Sequence, residues 1–467
     1  HTMTPASIVA CNIYITAASS QSSTLLSLLR RAQDQCRQLC HHQEEQQQNF
    51  DFGDFDRHTN SNNNDTTTIT ASSYDASSSS RDNNNKRGSR IAPVAIVHAY
   101  ADIPYDRSSF HLAGRSDFVS DVASALICNA LNEIDLKDCA DKYSTTTTTS
   151  SNNSRKSGEE KKGGESTRHP FVGLVDHVSV MPILTSQHPI TSNDHDDDDD
   201  DDNNSSDNLT KQCKAAAANA ARVIGSRMSA TNLVNVHYYG MACPENTPLA
   251  TVRREQTSFF ESGGAMMGVS STKERNGTTS TTAVQQKKVA WKGDTTIGSP
   301  VEFVENFNIR LTSNVDFDRA KTLTQFLRGR NMEKRGYGVA GVEALTLPYA
   351  RDTSEGGNVY EVACNLTTPK EGSADEIRLQ LAKWIDRQRQ ELSGNRDGGG
   401  VTEDDGDAGK FNYEYFVEDA YTVGTTEEQC MRVLSGKRME AEDIRSGTVF
   451  WEDYDKEVYH KFQDFLQ

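Results

Sequence analysis

Apolar residues come in short bursts separated by long polar runs, and each burst carries its own period. The segment from Ser7 to Thr16 is a nearly continuous apolar run and predicts a strand. From Ser23 to His42 the residues Leu25, Leu28, Leu29, Ala32, Cys36 and Cys40 fall at helical spacing, so an amphipathic helix is expected there. A second strand is expected over Ile91 to Tyr100, where alternation would put Val94, Ile96, His98 and Tyr100 on one face. Arg107 to Gly114 predicts its antiparallel return. Ser116 is the expected N-cap of a helix over Phe118 to Ile134, whose Phe118, Val122, Ala125 and Asn129 share a face. The strand Val172 to Leu184, the alanine-rich helix Lys214 to Met228 and the strand Leu233 to Tyr239 follow.

The same style returns further along. Strand Val301 to Leu311, helix Asp316 to Arg328, strands Val339 to Leu347 and Asn358 to Thr367, helix Ala374 to Leu392, strand Phe411 to Val423 and helix Thr425 to Leu434 are expected in that order. Strand-helix-strand-strand-helix-strand is the split βαβ arrangement of a ferredoxin-like sandwich. The expected fold class is α+β: two such subdomains, over 7–300 and 301–435, with antiparallel-rich sheets facing across a cleft and a helical extension over 436–467. A cleft between two sheets is the default place for a ligand.

The polar runs change the size of this picture more than its shape. Stretches at about 43–90, 144–167, 185–209, 270–287 and 393–409 lack the apolar periodicity needed to bury a core and are read as disordered insertions. They explain why only 35% of 467 residues are hydrophobic. The formal charge of −18 is concentrated in the same way, since eight aspartates lie between Asp194 and Asp202. That block reads as a solvated loop, not a metal site. No Lys/Arg stripe interleaved with aromatics is present, so nucleic acid is not an expected partner. Nine cysteines without repeating spacing read as buried thiols of a reducing compartment. Cys36 and Cys40, followed by His41 and His42, have no second half-site and sit on the helical stripe, so no metal is expected. No 18-residue apolar stretch and no leader pattern occur, which predicts a cytoplasmic protein without a membrane span; the chain starts at a histidine, which leaves an organellar leader open.

Candidate chemistry is densest in His169-Pro170-Phe171-Val172-Gly173-Leu174-Val175-Asp176-His177, which places two imidazoles and a carboxylate within nine residues. A histidine with an ordinary pKa of about 6.5 can both accept and return a proton near neutral pH. Pro170 fixes its own backbone φ and stiffens the loop, while Gly173 permits close backbone approach. Along a regular strand Asp176, Val178 and Val180 share one face and His177, Ser179 and Met181 the other. On that basis only one of Asp176 and His177 faces the cleft. Asp176 orients His169, holds substrate, or simply starts the strand, and His177 reads as a structural histidine.

The pattern HPxxGxxDH running into an apolar strand resembles the catalytic-loop segment of the formiminotransferase family, in its plant-type branch. Other stretches resemble the family in the same order: the acidic turn and hairpin from Ala101 to His111, the strand Val234 to Gly240, the turn Pro248 to Arg254, the junctions Thr296-Ile297-Gly298 and Phe307-Asn308-Ile309, and the strands Val339 to Leu345 and Val362 to Leu366. The resemblance implies two ferredoxin-like subdomains with folate in the groove between them. It implies transfer of a formimidoyl group from N-formimidoyl-L-glutamate to N5 of tetrahydrofolate as co-substrate, with His169 at the position of the catalytic histidine. Both substrates are rich in carboxylates, so Arg107, Arg253, Arg254 and Arg310 are candidate ligands, although any arginine can equally be a surface charge. Asp102, Gly298, Asn308 and Asn365 lie in matched stretches and are further candidates for substrate and folate. One of Tyr238 and Tyr239 could stack on a pterin. The implied partners are these small molecules, with no membrane and no nucleic acid, and a homodimer is among the assemblies this allows. After Leu434 too little chain follows for a cyclodeaminase domain. The family's glycine-proline folate loop has no counterpart between Glu261 and Gly293, where a Ser/Thr/Gln-rich run stands instead. That difference keeps a second reading open, a folate-binding protein of the same fold without transferase activity.

Overall fold

A computed structural model describes residues 7–53, 92–135, 171–184, 203–257, 290–349, 359–394, 412–435 and 451–467. In the first strand, β1 (Ile8–Ile15), the alternating residues Val9, Cys11, Ile13 and Ile15 enter a hydrophobic core, which leaves Asn12 and Tyr14 on the other face. Helix α1 (Ser22–Gly53) lays Leu25, Leu28, Leu29, Ala32 and Cys36 against that core. Strands β2 (Val94–Asp102) and β3 (Arg107–Arg115) form the expected hairpin, followed by helix α2 (Ser116–Glu133) and strand β4 (Val175–Pro182). Their order, β2-β3-β1-β4 with every pair antiparallel, is the split βαβ arrangement. Helix α3 (Asn203–Ser229) then covers the sheet and leads to β5 (Asn235–Gly240), the short helix α4 (Leu249–Glu255) and β6 (Asp294–Ser299). Strand β6 inserts between β4 and β5, parallel to both, and makes the sheet six-stranded.

The second subdomain consists of β7 (Glu305–Leu311), α5 (Phe317–Leu327), β8 (Val342–Tyr349), β9 (Val359–Leu366), α6 (Ala374–Gly394) and β10 (Val417–Val423). Its sheet order is β10-β7-β9-β8, antiparallel throughout. Phe307, Ile309 and Leu311 of β7 pack with Leu323 and Leu327 of α5 and with Ile377 and Trp384 of α6. The fold is therefore α+β with two split βαβ subdomains, as expected. Helix α7 (Glu427–Leu434) crosses back, and its Cys430, Val433 and Leu434 pack against Ala95 and Val97 of β2 and Ala113 of β3. The last helix, α8 (Trp451–Phe465), buries Val458 and Phe462 in the first core. Among the described residues no helix is long and apolar enough to cross a membrane.

Several boundaries differ from expectation. Helix α1 runs on to Gly53 and α3 starts at Asn203, inside two runs read as disordered, because a helix anchored by its packed turns propagates into polar sequence at little cost. Ser116 does not cap α2. It is the first helical residue, its N–H donates to the Ser7 carbonyl, and Arg115 at the N-cap makes no side-chain cap bond. The strand expected from Phe411 begins only at Val417, since Tyr413–Phe416 form a helical turn whose N-cap Asn412 accepts the Tyr415 N–H. The runs 144–167 and 270–287 lie outside the described residues, as does His169.

Candidate active site

Three register shifts decide which side chains reach the cleft. In β2 the shift lies between Ile96 and His98: Val94 and Ile96 enter the core beneath the helices, whereas His98 pairs with His111 on the opposite face. The four residues expected on one face are thus split, because a β-bulge inserts one extra residue and reverses the alternation beyond it. In β4 the shift falls between the pairs Tyr14–His177 and Ile15–Val175 and leaves Asp176 as the extra residue. Asp176 and His177 therefore flank the same cleft side chains, contrary to what regular alternation implies. In β10 the shift between Val417 and Asp419 buries Val417 in the second core and turns Tyr421 toward Glu361.

The first product of these shifts is a file of rings across the six-stranded sheet. His98, His111, Tyr14, His177 and Tyr239, one each from β2, β3, β1, β4 and β5, follow one another with centroids 5.6, 6.1, 5.8 and 5.3 Å apart. Strand β6 intervenes before the last ring, and Gly298 is what lets Tyr239 lie across it. A Cβ at Gly298 would stand 2.3 Å from the Tyr239 carbonyl oxygen and 2.5 Å from its ring, so any side chain there pushes the ring away from His177. Tyr238 points the other way and packs on Gly225 of α3. The Thr296 hydroxyl donates to the Asp176 carbonyl at 3.1 Å and so accepts from His177 Nδ1, also at 3.1 Å. That fixes the tautomer of His177, whose Nε2 accepts the Tyr239 hydroxyl at 3.4 Å.

The three imidazoles of the file are held neutral. Burial pushes His98 down to about 4, with Lys461 adding to the effect, and pushes His111 and His177 well below 6.5, helped by His98 and Arg253 respectively. Because the unfolded chain protonates these rings near 6.5, their neutrality contributes stability above that pH, and the contribution is lost as pH falls toward about 4. An imidazole NMR titration is expected to show all three rings neutral at pH 6. A cleft ring titrating near 6.5 would contradict the arrangement.

Beside the file sits a cationic cluster. The buried carboxylate of Asp176 accepts Arg107 Nη2 at 3.0 Å and Arg253 Nη2 at 3.2 Å on one oxygen, and the Val172 N–H at 3.0 Å on the other. The Arg107 guanidinium lies 4.3 Å over the Tyr14 ring, a cation–π contact that carries the cluster onto the ring file. Arg253 arrives from the last turn of α4, while Arg254 next to it is exposed. The segment leading out of the His169 loop is fixed as well. Thr16 Oγ1 donates to the Gly173 carbonyl at 2.9 Å, the Leu174 N–H donates to the Lys292 carbonyl, and a Cβ at Gly173 would stand 2.3 Å from the Asp294 carbonyl oxygen.

Across the cleft the four-stranded sheet presents Glu361, fully buried in the middle of β9. Its Oε1 accepts the Tyr105 hydroxyl at 3.1 Å and Asn308 Nδ2 at 2.8 Å, and its Oε2 accepts the Tyr421 hydroxyl at 2.7 Å. Arg310 stands 3.8 Å from Oε2 and stacks on Tyr349. Tyr105 comes from the β2–β3 turn, so the bond to Glu361 ties the two subdomains together, and Asn306 of β7 donates to the Tyr14 hydroxyl at 3.3 Å as a second tie. The Tyr105 backbone N–H also donates to Asp102 Oδ1 at 3.3 Å. Burial, reinforced by Glu361, pushes Asp102 up to about 7, and burial raises Glu361 too. These two carboxyls act on stability in the sense opposite to the histidines: their contribution is present at low pH and lost as pH rises, for Asp102 through about 7.

Of the residues singled out from sequence, Asp176, Arg107 and Arg253 meet in one cluster, Asp102, Asn308 and Arg310 meet around Glu361, Gly298 supports the ring file, and Asn365 is exposed on β9 opposite Asn306 and Glu343. Glu361, Tyr421 and Tyr14 carry no motif, and Tyr105 and His111, though inside the matched hairpin Ala101 to His111, were not singled out as site residues. The one available signal was a glutamate inside the apolar strand Val359–Leu366, since a charge there must find buried partners.

No family model matches the chain. A curated protein of Arabidopsis thaliana, named formiminotransferase cyclodeaminase-like protein, is 24% identical to it over 299 residues, a match covering 61% of this chain and 76% of that protein.

Proposed function

We propose that the cleft binds a reduced folate over the ring file and that the chain transfers a formimidoyl group from N-formimidoyl-L-glutamate to N5 of tetrahydrofolate. The observation that carries this reading is the combination of five neutral rings in line with two guanidiniums beside them. A flat heteroaromatic bearing carboxylates complements such a surface, the ring by stacking and the carboxylates by charge-assisted hydrogen bonds. The similarity to a plant protein carrying the formiminotransferase name supports the same direction.

In this reading His169 acts as general base toward N5 and then as general acid toward the departing glutamate nitrogen, so that one imidazole serves both halves of the transfer. Asp176 is a positioning residue. Its carboxylate holds Arg107 and Arg253 for substrate carboxylates and, through the Val172 N–H, anchors the chain three residues beyond His169. Asn308 and Asn365 belong to the facing four-stranded sheet, Asp102 ends β2 of the ring-file sheet beside Arg107, and Gly298 keeps Tyr239 in the stack. The decisive experiment supplies formiminoglutamate and tetrahydrofolate and follows glutamate release. Release at a steady rate is expected. Folate binding without release would favour the second reading, a folate-binding protein of the same fold, which the Ser/Thr/Gln-rich run between Glu261 and Gly293 motivates.

A further inference from the structure

Resting on the folate-binding part of the transferase reading, we propose that Asp294 takes the pyrimidine edge of the pterin, with His237 and Asn235 as its positioning residues. These three lie on the cleft face at the far end of the ring file. Asn235 and His237 precede Tyr239 at two-residue steps along β5, the edge strand of the six-stranded sheet, and Asp294 precedes Thr296 in the same way along β6. Such steps keep side chains on one face, about 7 Å apart. In the register of the sheet His237 stands opposite Thr296, which itself stands opposite His177, so the group adjoins the last two rings of the file. Asp294 Oδ1 accepts Asn235 Nδ2 at 3.0 Å and lies 3.5 Å from His237 Nε2, and no described residue hydrogen-bonds Oδ2. The side chains of His237 and Asp294 are 20% and 27% exposed, which leaves them within reach of a ligand in the cleft.

Both members of the pair favour their charged forms. Asp294 raises His237 above its ordinary 6.5 against the cost of burial, whereas the three imidazoles of the file are lowered. Burial opposes the carboxylate too, yet His237 and Asn235 hold Asp294 below its ordinary value. The end of the file therefore presents an ionised acceptor, oriented by one oxygen and open at the other. A pterin's pyrimidine edge carries two parallel N–H donors, N3–H and the 2-amino group, at the spacing that a carboxylate meets with its two oxygens. Stacking on the file does not identify that edge, because any flat ring has a π face to offer. Asp294 adds the missing selectivity and also sets the direction of the ligand. With the pyrimidine edge at β5 and β6, the remainder of the folate extends over the file toward β2.

The test measures, by titration calorimetry, the affinities of 5-methyltetrahydrofolate and of its 2-desamino-2-methyl analogue, which keeps the stacking ring and the glutamate tail but carries a methyl group in place of the amine. The intact protein is expected to prefer the amino compound by about tenfold or more, the scale of a hydrogen bond to a charged group. In Asp294→Ala the preference is expected to collapse to near parity. If that variant fails to fold, Asp294→Asn, which keeps the side-chain volume and an oxygen for Asn235, carries the same comparison and is expected to lower the ratio severalfold. Mere loosening of the sheet edge would weaken both compounds alike and leave their ratio unchanged. Equal affinities in the intact protein, or an unaltered ratio in a folded variant, overturn the inference. Equal binding of the two compounds removes the edge contact alone, whereas failure to bind either removes the folate reading with it.

Discussion

Asp176→Asn is expected to destabilise the fold by about 3 kcal/mol, the scale found when one partner of a buried ion pair is removed and the other charge remains. The side chain is 1% exposed, and those of Arg107 and Arg253 are 20% and 13% exposed. Both guanidiniums share Asp176 Oδ2, so the substitution leaves two like charges facing a neutral amide. The Asn side chain can still take the Val172 N–H on its oxygen, so the loop anchor survives while the charge balance does not. Urea denaturation followed by fluorescence reads this as a lower midpoint at unchanged slope. Double replacement, with Arg253→Met added, should recover part of the loss, because a neutral pair no longer strands a charge. A single variant as stable as the parent would mean that the two arginines find their balance elsewhere.

His169→Ala is expected to reduce turnover by about 10² to 10⁴-fold, the usual contribution of a positioned general acid/base. Folate affinity should change little, because the ring file and the guanidinium cluster belong to other strands. Single-turnover measurement of glutamate release, alongside folate titration, separates the two quantities. Unchanged turnover in this variant would sink the proposed mechanism. Asp176→Asn should also slow turnover, by displacing Arg107 and Arg253, and its effect should appear mainly in KM for the glutamate donor.

The order of strands and helices was legible, apart from the short helix α4 and strand β6, because each of the others carries its own apolar period, and the split βαβ arrangement follows from that order. Ala10 and Cys11 in β1, or Phe307 and Asn308 in β7, take the faces that alternation assigns. Strand β6, whose DTTIGS has too little apolar alternation to read as a strand, was missed outright, and the remaining misses lie at the places where alternation is interrupted. His98 and Tyr100 were assigned to the face of Val94 and Ile96, and Asp176 to the face away from His177, because nothing in VAIVHAY or VDHVSV marks the extra residue. A bulge is set by what pairs opposite, and that partner is distant in the chain. The ties across the cleft were illegible for a related reason. Tyr105 and Glu361 stand 256 residues apart, and neither subdomain has a use for the bond by itself.

The bulges also bear on how such a cleft could diverge. Each is a count rather than a chemical group: one residue more than the partner strand supplies, at Val97, at Asp176 and at Glu418. A point substitution near any of them alters one contact. Deleting Val97 would instead put the whole run of His98, Tyr100 and Asp102 out of phase, sending three polar side chains toward the helices and Ala99 and Ala101 toward the ligand. Chains that inherit this cleft are therefore expected to drift freely in residue type along β2, β4 and β10 while holding the length of those strands fixed, so that spacing outlasts identity as the trace of common use.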